Sequence, residues 1–77
     1  MPDYERVLYY TMWGQWDDLF TLMIRTNDDF LSKKIELFLN AYHYSPDERE
    51  IISTHSYLMK YVDHALSVQV KSLMKTR

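Results

Sequence analysis

SPDEREIISTHSYLMKYVDHALSVQVKSLMKTR, residues Ser45 to Arg77, is the stretch whose reading decides the fold. It opens with a hydroxyl residue, a proline and two acids, with Glu48 three residues after Ser45. That order marks a helix start: an N-cap, a proline at the first helical position and a capping-box carboxylate. No glycine or proline follows, so the pattern predicts one amphipathic helix from Ser45 to the C-terminus. At 100° per residue, Ile52, His55, Met59, Val62, Leu66, Val70 and Leu73 share one face, and Tyr57, Tyr61, His64 and Val68 gather on the opposite one. A helix apolar on two sides needs two neighbours.

Upstream, Asn40 to Tyr44 closes a second helix, whose start is marked by the capping cluster Thr26-Asn27-Asp28-Asp29. Phe30, Leu31, Lys34, Ile35, Leu37, Phe38, Ala41 and Tyr42 spread over a broad face, as expected of a helix wedged between two others. Lys34 lies near the middle of that face, where its stem covers apolar surface and its ammonium reaches water. Leu39 points the other way, beside Ser32, Glu36 and His43. A first helix is expected from Asp3 to Arg25, because Tyr9, Met12, Trp13, Leu19, Phe20 and Met23 lie within roughly 60° of Trp16. Val7 and Tyr10 point away from this stripe. The apolar phase continues across Gly14, which favours a single helix; a break there would give four helices in all. The expected fold is all-α, a small three-helix bundle with a long C-terminal helix, forming one domain over residues 1–77.

Composition supports a packed helical domain. The chain has 77 residues, 47% of them hydrophobic, with seven Tyr, three Phe and two Trp, and no cysteine. Disulfides and thiolate metal sites are therefore excluded, and stability must come from packing. One Gly and two Pro are too few for the many turns of an all-β fold. No segment approaches the ~18 uninterrupted apolar residues of a membrane span, and the N-terminus lacks the basic region and apolar run of a secretory signal. The expectation is a cytoplasmic protein without a membrane partner.

Charge is unevenly placed. Residues 1–50 carry ten acidic side chains against five basic ones, a net −5, while residues 51–77 carry Lys60, Lys71, Lys75 and Arg77 against Asp63 alone, a net +3. Acids at helix N-termini and bases at C-termini account for part of this.

Catalytic and metal constellations are not legible. His55 and His64 are nine residues apart on one helix and so diverge, His43 belongs to another element, and no His-x-x-x-His or Glu-x-x-His pair exists. His55, within an apolar stripe, is expected to be a hydrogen-bonded core residue. The neighbouring acids Asp17-Asp18 and Asp28-Asp29 diverge by 100° on a helix, and the second pair is better used in capping. No nucleophile elbow or phosphate-cradling glycine loop is present. The chain is accordingly expected to be a non-enzyme without a cofactor, and no motif ties it to a family.

Lengths suggest how such a protein acts. At 1.5 Å per residue the first helix spans ~34 Å, the second ~24 Å and the third ~45 Å. The third outruns its antiparallel neighbour and carries apolar residues, Leu66, Val70, Leu73 and Met74, into the overhang. The expected function is that of a small regulator or inhibitor that docks on another protein through an aromatic-rich helical surface. A homodimer built on the third helix is also expected, and the candidate surface for the protein partner or this dimer comprises Tyr57, Tyr61, His64, Val68, Leu66, Val70 and Leu73. The alternative is a small dimeric DNA-binding protein using Lys71, Lys75 and Arg77. Against it, the helix that would enter a groove after Tyr42-His43-Tyr44 begins Asp47-Glu48-Arg49-Glu50, the wrong sign for phosphates.

Overall fold

The first expected helix is in fact two. In the computed structural model, which describes residues 2–75 and the side chains of residues 2–71, the chain reverses at Gly14. Its φ of 65° is a left-handed conformation that glycine adopts without steric cost. Gln15 N–H donates to the Tyr10 carbonyl at 2.8 Å and Gly14 N–H to the Thr11 carbonyl at 3.4 Å, the two closing bonds of a Schellman cap. The elements are α1 (Asp3–Met12), α2 (Trp16–Arg25), α3 (Asp29–Tyr44) and α4 (Glu48–Lys75). The fold is all-helical, but the bundle has four helices rather than three.

Each connection reverses the chain, and the packing closes a ring: α1 on α2, α2 on α3, α3 on α4, α4 on α1. Trp16, at the start of α2, packs on Phe38 and Tyr42 near the end of α3, and Phe38 meets His55 of α4. At the other end, Tyr4 of α1 meets Tyr61 of α4. The helices therefore run up, down, up, down, and α1 is antiparallel to α4. With 28 residues against 16 in α3, α4 is about 42 Å long at 1.5 Å per residue. It sets the long dimension of a molecule measuring 49 × 23 × 23 Å.

The core combines Val7, Leu19 and Leu22 with Leu31, Ile35, Phe38 and Leu39 of α3 and Leu58 and Val62 of α4. Several expected orientations are corrected. The turn at Gly14 re-aims α1, so Val7 is fully buried while Tyr9, Met12 and Trp13 are exposed. In α2, Leu19 is buried and Phe20 exposed. Leu39 is buried because α2 packs on that flank of α3, where Ser32 Oγ donates to the Met23 carbonyl at 2.8 Å. Phe30, Leu37 and Tyr42 are exposed instead.

On α4 the fully buried residues are Leu58 and Val62, flanked by half-buried Ile51 and Ala65; Val62 belongs to the first expected stripe, whereas Leu58 lies between the two. Ile52, His55 and Val70 of one stripe and Tyr57, His64 and Val68 of the other are exposed. His55 is thus a surface residue leaning on Phe38, with ring centroids 5.5 Å apart, not a core histidine.

The start of α4 is also corrected. Asp47 precedes the helix; its carbonyl accepts from the N–H groups of Glu50 and Ile51, and its carboxylate accepts from Arg49 N–H at 2.9 Å. Ser45 is the C-cap of α3, its N–H donating to the Ala41 carbonyl at 3.0 Å. Its hydroxyl then bridges the turn, accepting from Asp47 N–H at 3.2 Å and donating to Glu50 Oε2 at 2.8 Å. The expected capping box with Glu48 is therefore replaced by a hydroxyl contact with Glu50 that belongs to the connection.

A Cβ at Gly14 would meet only Trp16 ring atoms, at ordinary contact distances of 3.9 and 4.0 Å. The cost of Gly14→Ala is therefore conformational, about 1–2 kcal/mol. Urea denaturation should show that loss with unchanged helicity. Gly14→Asn should lose less, because asparagine tolerates the left-handed region.

Candidate functional site

Asp28 fixes the register between α4 and the rest of the bundle. As N-cap of α3 its Oδ1 accepts from Leu31 N–H at 3.0 Å, the ordinary task of an aspartate at that position. The same carboxylate accepts from Tyr4 Oη at 2.5 Å and from Tyr61 Oη at 2.7 Å on Oδ2 and 2.9 Å on Oδ1. Thr26 Oγ1 accepts from Asp28 N–H at 3.2 Å and donates to Asp3 Oδ2 at 2.9 Å. One end of each of α1, α2 and α3 and the middle of α4 are thereby clasped together. Burial alone would raise the Asp28 pKa, but the donated bonds from Tyr4, Tyr61 and the α3 backbone outweigh it and hold the carboxyl below its usual value. The bond to Asp28 pushes Tyr4 up to about 12, and burial followed by that bond raises Tyr61.

The clasp also presents a face. Tyr61 donates inward, while its ring supports the Lys34 ammonium 5.6 Å from the ring centroid, a cation–π contact. Tyr61 thus meets the edge of α3, while His55, about 120° round α4, meets Phe38 of the same helix. Phe38 beside His55 and Lys34 beside Tyr61 define an antiparallel register. By that register Leu37 lies level with Tyr57 and Phe30 level with His64. Phe30 is 73%, Leu37 48%, Tyr57 61% and Val68 51% exposed.

Of the expected surface residues, the fold aligns Tyr57, Tyr61, His64 and Val68 on one flank of α4; Tyr61 is half-buried and the others exposed. Leu66 and Val70 fall on the other flank of α4, Leu66 half-buried against the core and Val70 exposed. They do not belong to the same surface. Lys71 is exposed and lies on the Tyr57 flank. The side chains of Leu73, Met74 and Lys75, and all of Arg77, lie outside the described residues. Sequence reading missed the α3 half of the face. Phe30 and Leu37 were visible as apolar residues seven apart, but only the packing of α2 on the Leu39 side turns them outward.

Elsewhere, a groove of about 450 Å³ runs between α2 and α3, with Trp16, Phe20, Met23, Glu36, Leu39 and His43 in its wall. His43 Nδ1 lies 2.9 Å from the Leu39 carbonyl of its own helix, and no histidine is hydrogen-bonded to a carboxylate among the described residues. No three potential ligands converge as a metal site among those residues. No helix there is long and apolar enough to cross a membrane.

These features define a four-helix up-down bundle with an aromatic outer face on its last two helices. The chain belongs to the YhdB-like protein family, whose sequence pattern matches residues 1–69. It is 51% identical over 63 residues to the Uncharacterized protein YhdB of Bacillus subtilis (strain 168), a match covering 82% of this chain and 79% of that protein. No solved structure matches it.

The clasp has a pH signature. Because the folded pKa of Asp28 is depressed, its contribution is full above the unfolded carboxyl value of 3.8 and is lost as pH falls through the lower folded value. Asp28→Asn should cost about 1–2 kcal/mol at pH 7. Urea melts should show the gap from the wild type closing below pH 4. Tyr4 and Tyr61 contribute in the opposite sense, up to the unfolded value of 10.0 and lost as pH rises further. Alkaline titration of the phenol absorbance should show two of the seven tyrosines ionising late.

Proposed function

We propose that this protein is a non-catalytic regulator or inhibitor that works by docking on another protein through the outer face of α3 and α4. The observation that carries the reading is the exposure, by about half or more, of Phe30 and Leu37 on α3 and of Tyr57 and Val68 on one flank of α4, with Leu37 level with Tyr57 and Phe30 level with His64. Single exposed apolar residues are ordinary on protein surfaces, but an aligned patch marks interaction sites. Tyrosine suits the role because it buries a large area at small rotamer cost and carries a polar tip. The core needs none of these four side chains, since Leu31, Ile35, Leu58 and Val62 already fill the α3–α4 seam.

Photocrosslinking in the native host tests the proposal. p-Benzoylphenylalanine in place of Tyr57 should give a discrete, nuclease-resistant protein adduct, and the same residue in place of Thr21, exposed on α2, should not. Adducts of equal yield from both positions, or none from Tyr57, would overturn the reading. An adduct lost on nuclease treatment would favour nucleic-acid binding through the basic end of α4.

A further inference from the structure

We propose that the α3–α4 face accepts an acidic amphipathic helix of its partner, an inference that rests on the docking reading above. Three observations converge on that occupant. The first is spacing. Tyr57, Tyr61, His64 and Val68 follow one another at intervals of four, three and four residues, the repeat that receives the knobs of a second helix. By the register of the two helices Leu37 and Phe30 of α3 flank this seam at Tyr57 and His64, while Val68 and Lys71 extend past the start of α3.

The second observation is charge. Lys60 and Lys71 lie within about 40° of His64 around α4, both exposed, and Lys34 stands between the helices over Tyr61. None of these three makes an ion pair among the described residues, whereas Lys33 is bound to Glu36 at 3.2 Å. Between residues 57 and 71 the sole acid of α4 is Asp63, about 100° round from His64. An apolar seam flanked by unpaired cations is complemented by an apolar stripe flanked by carboxylates.

The third observation argues against a second copy. A two-fold antiparallel pairing through this face would set Lys71 near Glu50 of the other copy, seven residues before Tyr57 on the same flank, but would leave Lys34 and Lys60 of both chains in one interface without such a complement. Like charges brought together across an interface are strongly unfavourable.

Selection of phage-displayed peptides on the full chain reads the preference directly. The library holds roughly 20-residue helices, about 30 Å long, with a fixed apolar seam and flanks free to be acidic, basic or neutral. Enrichment of Asp and Glu on both flanks is expected. The best peptide, synthesised, should bind the wild type about tenfold more tightly than Lys60→Glu/Lys71→Glu, a difference that shrinks as salt screens the charges. Lys60→Arg/Lys71→Arg should keep the affinity. Both positions are exposed, and an unchanged helical spectrum and melting curve will show that the variants fold.

Basic or neutral flanks among the enriched peptides, or equal binding by the charge-reversed variant, would overturn the inference. So would displacement of the peptide by single-stranded oligothymidylate at lower concentration, or a dimer in sedimentation equilibrium that Tyr57→Glu dissociates. The docking reading fails separately, if binding of every enriched peptide is indifferent to Tyr57→Ala.

Discussion

A single left-handed residue determines how every helix finds its neighbours. Were the chain to continue as a helix through Gly14, α1 and α2 would form one rod and the ring of four helices would not close. The reversal at φ 65° folds the rod in half and sends α1 back across α4. Each helix then has two neighbours, and nonpolar residues from all four meet in one core. The demand of α4 for two neighbours is met within the chain, and its outward flank is left free.

How far this was readable depends on the range of each interaction. The start of α3 was legible because Asp28 caps it through a bond only three residues away. Gly14 misled because amphipathic phase survives a break: Tyr9, Met12 and Trp13 stay in step with Trp16, Leu19 and Phe20 whether or not the backbone continues. The better cue was glycine's preference for the C′ position, where chain reversal requires it. Leu58, at the centre of the buried line of α4, was overlooked because it sits between two more conspicuous stripes. Ser45 was read as the N-cap of α4, but it closes α3, and Asp47, two residues on, stands at the start of α4. The tyrosine partners of Asp28 lie 24 and 33 residues away, and nothing local in a sequence encodes such a meeting.

The uneven charge takes on a different meaning in three dimensions. Along the chain it reads as an acidic first part and a basic end. In the bundle, Lys34 from the acidic part joins Lys60 and Lys71 on one outer face, while Asp17 and Glu36 line the groove between α2 and α3. The Lys34 flank of α3 therefore carries a cation without an ion pair among the described residues, whereas Glu36 on the other flank is offset by Lys33. A helix dipole accounts for acids and bases at helix ends, but not for segregation around the circumference of a bundle. The cation–π contact of Lys34 with Tyr61 links the clasp to this face through one aromatic ring: the hydroxyl serves the interior and the π-surface serves the exterior.

The clasp also bears on the order in which the molecule assembles. Helix pairs joined by short turns close small loops at little entropic cost and can form early. Tyr4, Asp28 and Tyr61 meet only after three helices have already been brought into place, since their bonds span 24 and 33 residues. Interactions absent from the transition state restrain escape from the native state rather than hasten arrival at it. If those bonds form last, the two phenols and one carboxylate act as a latch that governs how long the closed ring persists rather than how fast it forms.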